Sequence, residues 1–209
     1  MEIHAPKHSN GSWKETGREL IIITAGVLIA LALEGLVAWG EHRMLVREAE
    51  ANLHSEIQRN RDELNALLGG LDEARAELEK ADDLAAGMLK GKPATGALSL
   101  MTHGAELKNA AVTTSEITGA FGFMEYDEVS RYASVYDFQA EFLRLQERES
   151  TNFQAVLAFL RQFLSEPPPN AAAIDAWRGR IGVALAGITL RDQMGHQLLK
   201  RYDELLAEK

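Results

Sequence analysis

The sequence predicts an all-α protein, in which one transmembrane helix continues into a long antiparallel three-helix, coiled-coil-like bundle with a short-helix cap. Three observations predict this class. An uninterrupted apolar segment lies near the N-terminus, and later segments repeat apolar residues every three or four positions, the period of a helix. The 209 residues include only 5 prolines, and no feature of the sequence requires a strand.

Composition excludes several classes of function. Hydrophobic residues make up 46% of the chain and charged residues 25%, which is typical of a folded protein. The chain has no cysteine, which excludes disulfides, thiolate metal sites and thiol catalysis. The net charge is −9 and the sequence has no basic patch, so we exclude nucleic acid as a partner.

The chain divides into three predicted parts. Residues 1–12 are small and polar and predict a disordered tail, residues 13–40 a transmembrane helix with interfacial flanks, and residues 41–209 the helical bundle. The apolar stretch Leu20–Trp39 has about 20 residues, which at roughly 1.5 Å per residue matches the hydrocarbon core of a bilayer. The lipid bilayer is therefore the first predicted partner.

Two features of this segment leave room for other interpretations. Ala30-Leu31-Ala32 is a small-x-small site of the kind that signal peptidase cleaves, although the apolar run continues to Trp39. Basic residues set the orientation, and they favour a cytoplasmic N-terminus with the C-terminal part across the membrane. Those residues are Lys7, Lys14 and Arg18 before the segment, against Arg43 and Arg47 after it.

A four-residue repeat marks one face of the membrane helix. Gly26, Ala30, Glu34 and Ala38 lie on that face, where small residues let two helices approach closely and a carboxyl group can hydrogen-bond across the pair. This pattern predicts helix packing in a homo-oligomer or with a membrane-protein partner. Two other interpretations of Glu34 stay open, as a near-interface acid reached by water or as an ion-coupled site.

Three long helices are predicted beyond the membrane, over residues 41–89, 126–166 and 170–208, running out, back and out. In the first, Gly69-Gly70 does not break the apolar phase, which favours a continuous or kinked helix over a hairpin. Pro167-Pro168-Pro169 ends the second helix and lies nearer the membrane, and Asn170 caps the third. The first helix carries the clearest apolar series, in which Asn60 is the one polar member: Val46, Ala49, Leu53, Ile57, Asn60, Leu64, Leu67, Leu71, Ala74, Leu78, Ala81, Ala85 and Met88.

The glycine-punctuated residues 91–125 predict an irregular cap at the end of the bundle farthest from the membrane. We expect two short helices in it, near Leu98–Leu107 and Ser115–Phe121. Half of the aromatic residues lie between Phe121 and Phe142, which predicts either a core plug or a partner or ligand site at this tip. The candidate tip residues are Phe121, Phe123, Tyr126, Arg131, Tyr132 and Tyr136.

Three segments carry a resemblance to a known group of proteins. They are the stretch Gly26–Ala32 followed by Trp39, the motif Glu56-Ile57-x-x-Asn60, and the segment Thr118–Tyr136. Together they resemble a group of uncharacterised bacterial single-pass, membrane-anchored, all-helical proteins with no assigned activity. The resemblance implies a bacterial envelope protein with a helical domain, and it brings no catalytic residues. Together with the predicted orientation, we expect the protein in the inner membrane with its C-terminal domain in the periplasm.

No motif predicts catalysis, a cofactor or a metal site. No two of the six histidines lie three or four positions apart inside a predicted helix, because His4 and His8 fall in the tail. No HExxH, GxSxG or P-loop occurs. The leading hypothesis is a membrane-tethered helical stalk or assembly protein without enzymatic activity. Two alternatives stay open, a sensory module that binds a partner or ligand at the aromatic tip, and an accessory subunit of an ion-coupled complex that uses Glu34.

Overall fold

A computed structural model describes residues 13–93, 98–101, 104–163 and 169–207. These residues form helices and connecting segments without a strand, which confirms the all-α class. The predicted tail 1–12 and the prolines Pro167 and Pro168 lie outside the described residues. The elements in chain order are α1 Trp13–Gly69, α2 Leu71–Leu89, α3 Ala110–Thr118, a 3-10 turn Ala120–Phe123, α4 Tyr126–Phe163 and α5 Ala171–Ala207.

The chain forms two compact units, unit 1 over Met1–Arg47 and unit 2 over Glu48–Lys209. The described part of unit 1 is the first portion of α1. Its most apolar stretch has a mean hydropathy of 2.5, and 0% of that stretch is buried within the chain. This helix is long and apolar enough to cross a membrane, as the sequence predicts. At its end the Arg43 guanidinium lies over the Trp39 ring, 4.9 Å from the ring centre.

Helical hydrogen bonding continues across Gly69, the last residue of α1, and Gly70, which lies between α1 and α2. Gly70 has right-handed helical backbone angles, φ −95° and ψ −6°. Its N–H donates to the carbonyl of Leu67 at 3.0 Å, and its own carbonyl accepts from the N–H of Ala74 at 3.3 Å. The helix therefore continues with one tightened turn, and the chain does not reverse here as the hairpin alternative requires.

The core of unit 2 takes up the apolar series that the sequence shows. Trp177 is the largest fully buried residue; its ring stacks on Phe159 with centres 5.5 Å apart, and its indole N–H donates to the carbonyl of Val156. Each large apolar side chain so buried contributes about 1.5–3 kcal/mol. The buried members from α1 and α2 are Ala49, Leu53, Ile57, Leu64, Leu67, Leu71, Leu78, Ala81 and Ala85.

Contacts within unit 2 fix the directions of its helices. Glu56 contacts Tyr136 and Asn60 contacts Gln139, so residue numbers rise together and α1 and α4 run parallel. Along α5 the numbers fall as those of α1 and α2 rise, so α5 runs antiparallel to them. Three contacting pairs give this direction: Arg61 with Asp203, Leu68 with Gly195, and Asp82 with Arg178.

The predicted out, back and out order is therefore wrong for both later helices, because α4 runs in the direction of α1 and α5 runs in the opposite direction. We call residues 90–125, between α2 and α4, the connecting segment. The chain leaves α2 beyond Ala85, the connecting segment returns along α2 and α1, and α4 then begins beside the first turns of α1 in unit 2. We call the two ends of unit 2 the Ala49 end and the Ala85 end. Because Trp177 packs on Val156 and Arg178 pairs with Asp82, the start of α5 belongs to the Ala85 end.

The connecting segment is also not the predicted cap. The expected helix at Leu98–Leu107 is wrong, because the described residues 98–101 and 104–109 are not helical. The second expected helix begins earlier, at Ala110, and ends at Gly119, whose φ of 75° favours glycine. Asn170 caps α5 as predicted, since its side-chain oxygen accepts from the N–H of Ala173 at 2.9 Å.

Candidate functional site

A buried polar cluster joins α1, α4 and the connecting segment. The carboxylate of Glu56 accepts hydrogen bonds from the Tyr136 hydroxyl at 2.8 Å and from the Ala111 N–H at 3.0 Å. Glu56 is 3% exposed, so these donors replace the water that a carboxylate otherwise binds. Burial is the main cause that raises the pKa of Tyr136, and its bond to Glu56 adds to this, so the phenol stays protonated.

Asn60, the polar member of the apolar series, binds the backbone of the connecting segment. Its side-chain oxygen accepts from the Lys108 N–H at 2.8 Å, and its amide nitrogen donates to the Lys108 carbonyl at 2.7 Å. The amide nitrogen also donates to the Gln139 oxygen at 3.1 Å, and the Tyr202 hydroxyl donates to that same oxygen at 2.6 Å. The polar residue Asn60 within the apolar series is thus explained by its hydrogen bonds to the backbone of Lys108.

Gln146 repeats this arrangement at Ala105, three residues before Lys108 in the connecting segment. Its amide oxygen accepts from the Ala105 N–H at 2.9 Å, and its amide nitrogen donates to the Ala105 carbonyl at 3.0 Å. The side chains of Ala105 and Leu107 are buried below these bonds. Two amide side chains therefore satisfy the backbone of Ala105 and Lys108, which lies outside any helix and has no strand partner among the described residues. The cluster thus holds the connecting segment against α1 and α4.

The structure separates the six predicted tip residues. Tyr132 and Tyr136 are buried and Phe121 is half-buried, so these three belong to the core-plug interpretation. Ile117, which the sequence reasoning missed, is 81% exposed in the same stretch of chain. The exposed members of the predicted set are Phe123, Tyr126 and Arg131.

The tip residues lie at the Ala49 end of unit 2, and the predicted placement at the opposite end is wrong. Tyr136 binds Glu56, and the Glu128 carboxyl lies near that of Glu50, whose charge, after burial, raises the pKa of Glu128. The error follows from the reversed direction of α4. Whether this surface binds a partner stays a prediction.

The predicted packing face of the membrane helix is mostly exposed in the part of unit 1 that the structure describes. Gly26, Ala30 and Glu34 are exposed, and Ala38 is half-buried. A Cβ atom added at Gly26 would meet no atom within 4 Å. The face is thus available to a second helix.

A cavity of about 460 Å³ opens in the middle of unit 2, and the sequence reasoning did not find it. Glu149 from α4 and Arg191 from α5 lie in its wall, with the Arg191 Nε 3.3 Å from a Glu149 carboxylate oxygen. Burial is the main cause that raises the pKa of Glu149 and lowers that of Arg191, while the charge of each partner acts in the opposite direction.

Among the described residues, no group of three or more histidine, aspartate or glutamate side chains is placed to hold a metal ion. A comparison with protein-family models, curated proteins and solved structures finds no match to this chain. The cavity and the two exposed faces are therefore interpreted from their own chemistry.

Proposed function

We propose that the protein is a non-catalytic assembly protein of the bacterial envelope, anchored in the inner membrane by α1 and presenting unit 2 in the periplasm. The observation that carries this proposal is the apolar stretch of unit 1. A core helix of a water-soluble protein buries such a stretch, whereas 0% of this one is buried within the chain. Lipid is the partner that satisfies apolar side chains on every face of a helix.

The assembly role rests on the face of the same helix that carries Gly26, Ala30 and Glu34. The long apolar series of α1 and α2 is buried by unit 2 itself, so it offers no seam for a coiled coil between chains. The exposed residues Gly26, Ala30 and Glu34 offer close approach and a hydrogen-bonding carboxyl group. We therefore place self-association in the membrane helix.

Protease protection in intact spheroplasts tests the anchor and its orientation, using a C-terminal tag and the size of the chain as readouts. The proposal predicts a full-length chain in the membrane fraction whose unit 2 is digested from outside. A protected unit 2 contradicts the periplasmic orientation. A shortened chain that leaves the membrane contradicts the anchor, because it identifies the apolar stretch as a cleaved signal peptide.

Disulfide crosslinking tests self-association in a chain that has no cysteine of its own. Ala30→Cys lies on the proposed face, and Leu28→Cys lies about 160° around the helix from it. In liposomes that hold the purified chain, we expect oxidation to produce dimers of the first variant and few of the second. Equal crosslinking of the two variants would contradict a defined face. Glu34→Gln sharpens the test, since it is expected to weaken the dimer if the carboxyl group bonds across it.

Ligand binding by unit 2 is the second candidate function. The cavity favours it, because pockets for small molecules have volumes of roughly 300–1,000 Å³ and carry a few charged groups in an apolar wall. In this case the assembly protein also senses a compound, and a partner recognises unit 2 in its ligand-bound state.

A further inference from the structure

The cavity lies between three helices whose side chains form a wall with two kinds of chemistry. Leu143 and Phe153 from α4 and Ile188 from α5 supply apolar surface. Glu149 and Arg191 supply opposite charges beside that surface. With about 460 Å³, the space exceeds what a few water molecules fill and is large enough for a small organic molecule.

The charged pair is buried to an unusual degree for such groups. The side chains of Glu149 and Arg191 are 11% and 9% exposed. Both carboxylate oxygens of Glu149 are buried, and neither accepts a hydrogen bond from the residues that the structure describes. A buried carboxylate without donors is costly, so this group favours a ligand that brings N–H donors to it.

The helix opposite leaves room for that carboxylate. A Cβ atom added at Gly187 would lie 2.9 Å from the Glu149 Oε1, closer than real side chains approach. The lack of a side chain at Gly187 therefore leaves the space that the carboxylate occupies. The fold keeps an acid in place here where an apolar residue of similar size would pack more cheaply.

We propose that this cavity binds a free α-amino acid with an apolar side chain. The ammonium group of the ligand donates hydrogen bonds to Glu149, its carboxylate pairs with Arg191, and its side chain packs against Leu143, Phe153 and Ile188. A zwitterion suits this pair because it brings both charges, so that the buried site stays neutral overall. An amine or a carboxylate alone would leave one net charge inside. The inference concerns unit 2 and does not depend on the proposed membrane anchor.

Calorimetric titration of the full-length chain in detergent micelles tests the proposal, using L-alanine, L-valine, L-leucine, L-methionine and L-phenylalanine as separate probes. We expect at least one of them to bind with a stoichiometry of one. For a leucine-sized ligand, 4-methylpentanoate lacks the ammonium group and 3-methylbutylamine lacks the carboxylate. Both are expected to bind at least about tenfold more weakly than the amino acid, the effect of losing one charged hydrogen bond.

Variants locate the binding in the cavity. Glu149→Gln is expected to weaken binding by about tenfold or more, whereas Glu141→Gln, exposed on the same helix, leaves it unchanged. Ser150→Phe fills the cavity without removing a charge and is expected to abolish binding, with circular dichroism as the check that each variant is folded. The absence of binding by all five probes overturns the proposal. Binding that survives Ser150→Phe, or an amine that binds as tightly as the amino acid, overturns it as well.

Discussion

The helix α1 contains two stretches whose apolar side chains are of the same types but have opposite surroundings. In unit 1, the side chains of Leu20–Val37 are exposed on every face of the helix. In unit 2, Leu53, Ile57, Leu64 and Leu67 are buried along one face, and polar residues cover the other. One sequence pattern is continuous and the other repeats every three or four residues. The pattern, more than the residue type, therefore tells which solvent a helix meets.

Charges placed in each stretch are expected to give the largest effect. Leu28→Arg combined with Leu31→Arg puts two charges into the continuous stretch, at a cost of about 3 kcal/mol each for insertion into a bilayer. We expect this double variant to lose the membrane fraction in a carbonate extraction. The control, Ala51→Arg with Ala66→Arg, changes two exposed positions of the same helix and should stay in membranes. Equal retention of both variants would contradict the membrane assignment.

Replacing one tryptophan in each unit compares how the two units contribute to the free energy of unfolding. Trp177 is 0% exposed in unit 2 and Trp39 is 58% exposed in unit 1. Trp177→Ala should lower the free energy of unfolding by about 3–5 kcal/mol, because it leaves a cavity and removes the stacking on Phe159. Trp39→Ala should leave the unfolding of unit 2 unchanged. Urea titration followed by near-ultraviolet circular dichroism measures both, and similar losses would show that Trp39 also supports the core of unit 2.

The directions of α4 and α5 are what sequence reasoning missed, and the cause lies in the connecting segment. Residues 104–109 have no helical or strand periodicity, and the side chains of Asn60 and Gln146 bind the backbone of Lys108 and Ala105 there. Such side-chain bonds join positions far apart in the sequence, and no local pattern reports them. The helices themselves follow from apolar spacing, from Asn170 at the start of α5, and from the preserved phase at Gly70.

A sequence signal did exist for most of the polar residues inside unit 2. Asn60 was visible as the polar member of an apolar series. Gln139 on α4 and Arg191 on α5 likewise occupy positions in the phase of the buried stripe, Arg191 between Ile188 and Leu198. Glu149 carries no such signal, because its polar neighbours on α4 read as a solvated stretch. A polar residue in the phase of a core stripe is thus a general indication of a buried bond.

Removal of the Glu56 carboxylate tests how much its buried hydrogen bonds stabilise unit 2, where α1 is covered by protein. Glu56→Ala leaves the Ala111 N–H and the Tyr136 hydroxyl without their acceptor, at about 1–3 kcal/mol for each buried group. We expect faster hydrogen exchange at the Ala111 amide and a lower free energy of unfolding. Glu48→Ala, exposed on the same helix, is the matched control. Unchanged exchange at Ala111 would show that the connecting segment does not need this bond.

The smallest expected effect is a pH dependence from Glu149. Burial raises the pKa of this carboxyl above 4.5, so the folded chain retains a proton at pH values where the unfolded chain has lost it. Its contribution to stability therefore falls as pH rises above 4.5 and is regained as pH falls. Relative to Glu149→Gln, the wild type should gain stability between neutral pH and pH 4.5, as urea titrations at each pH can show. A difference that is constant with pH would contradict this.

Single-cysteine scanning along α1 tests the central contrast most directly, because the chain has no cysteine of its own. Each position from Leu20 to Leu67 is replaced in turn, and the chain in liposomes is treated with a membrane-impermeant maleimide. The account predicts unbroken protection from Leu20 to Val37, followed by protection every three or four positions that matches Leu53, Ile57, Leu64 and Leu67. Labelling of residues 20–37 at the rate of the exposed position Ala51, or a three-to-four-residue period within them, would contradict a helix surrounded by lipid.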